Sequence, residues 1–300
     1  MMADPDEFAW LPDVAGEQGL DLARVPLVRR VAFDAGEAGT LSALMWGEGA
    51  PELVFLHGGG QNAHTWDAVA LLLGRPMLAF DLPGHGHSSW RADRDYMPWA
   101  NAATLAPAIA TLAPDARAVV GMSLGGATAI RLAAERPDLV RRTLIVDVTP
   151  QVNDSARHLT REQKGTVALV SGPQSYDSFD AMAEAAIALS PRRSPEAVRR
   201  GVHHNARQMQ DGRWSWRYDL FGPRPGADFT PLWDDVARIA VPTMLVVGAA
   251  SSHVQPEDIE GMRERLRGLR VATVEGAGHA VQSDRPQALA ALIEDFVFGD

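Results

Sequence analysis

Gly121-Met122-Ser123-Leu124-Gly125 decides how this chain is read. An apolar, β-branched run, Ala116-Arg117-Ala118-Val119-Val120, stands immediately before it, and a helix-forming segment, Gly126 to Glu135, follows directly. Gly-x-Ser-x-Gly arises by chance in a glycine-rich chain, so the motif alone says little. Strand, motif and helix in succession say more. Glycines let the backbone turn sharply and let strand and helix approach, which leaves the serine hydroxyl raised above a sheet edge. Ser123 is therefore the candidate nucleophile.

Outward from this turn, the chain alternates strands and helices. Leu53-Val54-Phe55-Leu56 is continuously apolar, as expected of a strand buried on both faces, and it ends in His57-Gly58-Gly59-Gly60. Pro76 to Phe80 reads as another buried strand, closed by Asp81-Leu82-Pro83-Gly84-His85-Gly86-His87-Ser88. Val28 to Phe33 and Leu41 to Trp46 read as a hairpin-like pair. Further strands are expected at Arg142 to Val146, ending at Asp147, then at Thr243 to Val247 and Val271 to Val274. Helices are expected at Thr65 to Leu73, Ala100 to Leu112, Asp258 to Leu266 and Pro286 to Phe298, and residues before Pro26 read as a strap or frayed lead-in. Such alternation implies a mainly parallel sheet covered on both faces. From Pro150 to Asp235 the pattern shows helical pieces and no buried strand. The division expected is thus a core of residues 1–149 and 236–300 with a helical cap, or lid, at 150–235.

Composition narrows the partners. With 46% apolar and 22% charged residues, the 300-residue chain has the make-up of a soluble globular protein. A net charge of −10 supplies no cationic face for a nucleic-acid backbone. The absence of cysteine excludes disulfides, thiolate catalysis and cysteine-ligated metal, and suggests a reducing or indifferent compartment. No apolar run approaches the roughly 18 residues of a membrane span, and Met1 to Glu7 lacks a secretory pattern, so a cytoplasmic protein without a membrane partner is expected. Oligomeric state is not legible.

Four segments, in order, resemble those of the α/β-hydrolase fold: His57 to Asn62, Asp81 to Ser88, Gly121 to Gly125, and Gly276-Ala277-Gly278-His279. The likeness covers about residues 28 to 300. It implies an α/β fold with an eight-stranded, mostly parallel sheet flanked by helices, and a cap over the active site. It also implies that His279 serves as the base for Ser123, a task suited to an imidazole that titrates near neutrality. Backbone N–H groups of Leu124 and Gly59, with Gly60 next to it, are the candidate oxyanion donors.

One departure is plain. The family usually places an aspartate shortly after the strand that ends here at Val247-Gly248, but this chain reads Ala249-Ala250-Ser251-Ser252-His253. Asp147 is the substitute acid expected, keeping the order serine, acid, histidine. The alternatives are Glu257 or Asp258 folding back, Ser252 or a water molecule in the acid's place, and a purely structural Asp147. Asp81, His85 and His87 read as supports of their own tight loop. His203-His204 in the cap has no evident ligand cluster around it, so no metal is expected. No cofactor motif appears, because no Gly-x-Gly-x-x-Gly opens a helix after a strand. Serine rather than aspartate at 123 argues against dehalogenase or epoxide-hydrolase chemistry. Trp66, Trp90, Trp99, Trp214, Trp216 and Trp233, with Met122, supply apolar surface for packing or for a cavity under the cap.

The function expected is serine-dependent hydrolysis of a small or medium apolar ester, lactone or thioester through an acyl-enzyme. Two alternatives stand beside it: a non-hydrolytic enzyme of the same fold (lyase, cyclase or C–C cleavage), and a ligand-binding protein on a hydrolase scaffold.

Overall fold

In the computed structural model, residues 7–21, 25–152, 158–170, 172–219 and 228–299 are described. The strands are β1 (Val28–Asp34), β2 (Thr40–Trp46), β3 (Leu53–Leu56), β4 (Met77–Asp81), β5 (Ala118–Met122), β6 (Thr143–Val146), β7 (Ala206–Gln208), β8 (Trp214–Trp216), β9 (Thr243–Gly248) and β10 (Arg270–Val274). Eight of them form one sheet in the order β1-β2-β4-β3-β5-β6-β9-β10. β2 lies antiparallel to both β1 and β4, and every later pair is parallel. This is the eight-stranded, mostly parallel sheet that the resemblance implied.

Both faces of the sheet are covered, which is why its central strands are apolar without alternation. On β3, Val54 and Leu56 join the core beneath helices Pro98–Leu112 and Leu124–Glu135, while Leu53 and Phe55 join the core on the opposite face. That second core is closed by helices Asp67–Leu73 and Pro286–Phe298. Because β3, β5, β6, β9 and β10 run the same way, the segments that follow them emerge along one carboxyl edge, where parallel α/β sheets bind ligands.

Three readings of the sequence need correction. The strand before Ser123 spans Ala118 to Met122 rather than starting at Ala116, whose N–H is turned back to the Ala113 carbonyl. The N-terminal segment is not merely a strap: Leu11–Glu17 is a helix, started by Pro12 in its first turn and anchored by buried Leu11 and Ala15. The cap is not wholly helical. Besides helices Phe179–Ile187 and Pro195–Asn205 it holds the antiparallel pair β7–β8, with Tyr176 bridging to Trp214. These strands are three residues long and pack into a small core of their own with Met182, Trp216 and Tyr218, so they give no long apolar run to read.

Packing is tight at the turn that carries Ser123. A Cβ on Gly121 would stand 2.2 Å from the Gly125 carbonyl oxygen, and one on Gly125 would stand 2.2 Å from the Leu56 carbonyl oxygen. Both contacts are with backbone, which cannot step aside. Gly125→Ala is therefore expected to lower stability by about 1–3 kcal/mol through overpacking, read as a lower urea midpoint.

Candidate active site

Ser123 sits between the last residue of β5 and the first turn of helix Leu124–Glu135, with φ +51° and ψ −117°. A non-glycine residue in the left-handed region costs about 1–3 kcal/mol and persists only when its surroundings fix it. Here its N–H donates to the Val146 carbonyl (3.0 Å) and its carbonyl accepts from Ala127 N–H (2.9 Å). The Leu124 N–H lies in the first turn of the helix, among donors with no intrahelical acceptor, at the end where the helix dipole favours negative charge.

The glycine loop after β3 lies against this turn. A Cβ on Gly58 would stand 3.2 Å from the Ser123 Cβ and 2.5 Å from the Met122 Sδ. Gly58 N–H donates to Gln61 Oε1, and Gly60 N–H donates to His85 Nε2, each at 3.0 Å. Gly59 N–H has no acceptor among the described residues, so it is the loop donor left open. Of the two glycines weighed from sequence, Gly60 thus has its N–H engaged and Gly59 does not.

Two buried histidines hold the loop from behind. His85 Nδ1–H donates to the Pro83 carbonyl while Nε2 accepts from Gly60, and His57 Nδ1–H donates to the Gly58 carbonyl (2.7 Å) while Nε2 accepts from Leu82 N–H (2.9 Å). Each must be neutral to donate at one nitrogen and accept at the other. Burial pushes their pKa values down to about 3 for His57 and about 4 for His85. Asp81 ties the neighbouring turns together, accepting from Ala63 and His87 N–H and pairing with Arg30.

Asp147 ends β6, is fully buried and has φ +52°. Its Oδ2 accepts from His279 Nδ1–H at 2.7 Å and from Ser251 Oγ–H at 2.5 Å, and its Oδ1 accepts from Gly248 N–H at 2.9 Å. The segment after β9 thus supplies hydrogen-bond donors to the carboxylate, not the carboxylate itself. Ser251 occupies this position, not Ser252. Gly248 also makes room for the histidine loop, since a Cβ there would stand 2.2 Å from the Gly278 carbonyl oxygen. Gly278 N–H is held in turn by Asp284 Oδ2 (2.8 Å). Glu257 and Asp258 do not fold back; Asp258 closes a capping box with Gln255 at the start of its own helix.

His279 Nε2 has no hydrogen-bond partner in the described structure, so no hydrogen bond joins it to Ser123 Oγ. Sequence reasoning missed His253, whose ring stacks on His279 with centroids 3.7 Å apart and planes 19° from parallel. His253 is buried, and desolvation together with the neighbouring His279 lowers its pKa to about 3. It therefore presents a neutral aromatic face to the His279 ring. Its one legible signal is position: it stands in the loop where the family's acid was missing.

The expectation that His203-His204 lacks neighbouring ligand groups is overturned. His204 stacks on His64 at 3.7 Å, and ligand atoms of His64, Asp67 and His204 lie within 4.8 Å of one another. His64 arrives from a distant part of the chain and already shares both ring nitrogens with Asp67 (2.9 Å) and Glu7 (3.0 Å). Burial opposes its charge, but these carboxylates raise its pKa to about 9, and both ring nitrogens are engaged by carboxylate oxygens in this arrangement. The cluster ties N-terminal segment, core and cap together. Of the tryptophans, Trp66 is wholly buried in the core and Trp90 is exposed.

A serine on a strained strand-to-helix turn, a histidine held by a buried aspartate and an open glycine-loop donor, all on the carboxyl edge of this sheet, are the marks of an α/β hydrolase. A family model described as the alpha/beta hydrolase family matches residues 53–292, and the chain belongs to that family. It is 50% identical to esterase Rv0045c of Mycobacterium tuberculosis over 289 residues, 96% of this chain and 94% of that protein. A solved structure of that M. tuberculosis esterase, described in a study of its inhibition by transition metals, superimposes with a TM-score of 0.85 at 49% identity, covering 97% of this chain and 98% of that one. A mouse sn-1-specific diacylglycerol lipase, ABHD11, is 29% identical over 82% of this chain and 81% of its own length. Among the described residues no helix is long and apolar enough to cross a membrane.

A histidine that the fold keeps neutral takes up a proton on unfolding at its ordinary value of about 6.5. Stability contributed by keeping His253 neutral is therefore lost as pH falls from about 6.5 toward its folded value of about 3. His253→Phe keeps a ring in the stack and cannot titrate. The drop in urea midpoint between pH 6.5 and 4 is expected to be shallower in that variant than in the wild type.

Proposed function

We propose that this chain hydrolyses carboxylic esters, with thioesters and lactones within reach of the same chemistry, through an acyl-enzyme on Ser123. The observation that carries the reading is the 2.7 Å hydrogen bond from His279 Nδ1–H to buried Asp147. It fixes the tautomer that leaves Nε2 as the acceptor, and it places a carboxylate where an imidazolium would form.

In the proposed cycle Ser123 Oγ attacks the ester carbonyl while His279 Nε2 takes its proton. The oxyanion is received by the N–H groups of Gly59 and Leu124. His279 then returns the proton to the departing alcohol; water, deprotonated by the same Nε2, attacks the acyl-enzyme, and the imidazolium returns that proton to Ser123 Oγ as the acid leaves. His57 and His85 support the loop that offers Gly59 and touch nothing that reacts. The esterase name of the M. tuberculosis relative agrees with this reading. The non-hydrolytic alternative drew its weight from the acid missing after β9, and a carboxylate supplied by Asp147 removes that reason to prefer it.

Hydrolysis of p-nitrophenyl butyrate tests the proposal. Ser123→Ala is expected to bring turnover to background, and a fluorophosphonate is expected to label the wild type but not that variant. Asp147→Asn is expected to lower kcat by about 10⁴-fold. Ser251→Ala, which leaves the carboxylate in place, is expected to cost on the order of tenfold, a lost hydrogen bond to a charged group, while Ser252→Ala is neutral. Unimpaired turnover in Ser123→Ala would refute the mechanism; equal, negligible losses in Asp147→Asn and Ser252→Ala would remove Asp147 from it.

A further inference from the structure

A cavity of about 590 Å³ lies between the cap helix Pro195–Asn205 and the core, and reaches Gly59 and Gly60 of the glycine loop and Ala280, the neighbour of His279. Its walls carry ions of both signs, but most are already matched. Glu7 pairs with Arg30 and His64, and Asp67 with His64. Arg200 pairs with Glu17, Asp284 holds the Gly278 N–H, and Arg285 donates to the carbonyls of Glu275 and Asp284.

Two cations on the same wall are different. Arg193 makes one hydrogen bond, from Nη2 to the Ala197 carbonyl at 3.2 Å, and Arg192 makes none among the described residues. Neither has a carboxylate within ion-pair distance among the described residues. Burial, helped by neighbouring Arg200, lowers the pKa of Arg193 although the fields of Asp284 and Glu17 oppose it, so this guanidinium is desolvated with both carboxylates beyond ion-pair distance. Arg192 reaches further toward the reacting groups: its Nη1 lies 2.8 Å from where a Cβ on Gly278 would stand, one residue from His279. A guanidinium taken from water is costly unless an anion replaces the solvent, and its planar fork of donors matches a carboxylate or phosphate.

We infer that the preferred substrates are esters whose acyl or alcohol part ends in an oxyanion, carboxylate or phosphate, and that Arg192 and Arg193 receive that end. The inference rests on the ester-hydrolysing reading of Ser123 and adds its substrate class, which the sequence had put among apolar carbonyl compounds. In this reading the ester carbonyl is received at Gly59 and Leu124; of these only Gly59 lines the cavity, so the chain beyond the carbonyl enters past Gly59 and runs under the cap helix to the two arginines. Because the whole chain is acidic at net charge −10, attraction of an anionic substrate has to come from such a local pair.

The test compares p-nitrophenyl butyrate with mono-p-nitrophenyl esters of succinate, glutarate, adipate and suberate, and with a p-nitrophenyl alkanoate ending in phosphate. The expected result is an optimum chain length at which an anion-ended ester exceeds the neutral one by about tenfold or more in kcat/KM, about 1.4 kcal/mol of discrimination. In Arg192→Gln/Arg193→Gln that advantage is expected to shrink to about twofold or less, mostly through KM, with butyrate turnover unchanged. Arg193→Lys, which keeps the charge and loses the fork, is expected to fall between. The carboxylate and phosphate arms identify the anion by which shows the larger advantage. Equal or poorer turnover of every anion-ended ester by the wild type overturns the inference, as does an arginine variant that slows neutral and anionic substrates alike. If butyrate is still hydrolysed and Ser123→Ala abolishes that, the hydrolase reading stands and only the anion preference falls. If the wild type hydrolyses no ester, the failure lies with the earlier proposal.

Discussion

A single buried carboxylate joins the parts of this site. Asp147 takes three hydrogen bonds, from Gly248 N–H, Ser251 Oγ–H and His279 Nδ1–H, and these donors come from the end of β9, the segment after it and the segment after β10. An unpaired carboxylate at that depth would be expensive, so each donor is as necessary to the fold as the carboxylate is to the donors. The arrangement also needs Asp147 at φ +52°, an unfavourable backbone for aspartate that the crossing of three segments maintains. The orientation of His279 follows from this knot.

The other half of the site is built from backbone. Gly121 and Gly125 allow β5, the following helix and β3 to meet at distances no side chain tolerates, and this meeting brings the glycine loop to Ser123. Side chains enter only as supports: neutral His57 and His85 occupy the loop's competing donors and acceptors and leave Gly59 N–H open. The proposed division of labour is thus clear in physical terms. Backbone donors meet the charge that develops on oxygen, and a hydrogen-bonded pair of side chains moves the proton.

The cap contributes by enclosing a cavity beside these groups and by presenting cations to it. Its attachment is polar and aromatic. His64 hydrogen-bonds Glu7 and Asp67, His204 stacks on it from the cap, and Asn205 donates to the Gly60 carbonyl. Cap helix and glycine loop are therefore mechanically connected, so a change in how the cap sits is felt at Gly60 and, through it, at the neighbouring Gly59.

Most of the core was legible because its signals are local. The apolar run of β3, the strand-turn-helix around Ser123 and the final helix from Pro286 to Phe298 all lie where residue order placed them. The motifs that hold Ser123, His279 and the glycine loop are likewise continuous in sequence. The short cap strands β7 and β8 were illegible, as their stability comes from Tyr176 and aromatic packing rather than from any run of their own. Asp147 was the acid expected from sequence, because it ends a strand and keeps the order serine, acid, histidine, but nothing in the sequence showed what it would touch. Its hydrogen bonds were set by the tertiary structure, because β6 and β9 are adjacent in the sheet though 96 residues separate the end of β6 from the start of β9 in the chain. His253 over His279, Ser251 on Asp147 and His64 beneath His204 were decided in the same way. A chain's order fixes which residues can bend, bury or react, whereas partners brought together by sheet order and cap docking leave no mark at the sequence spacing where a reader would look.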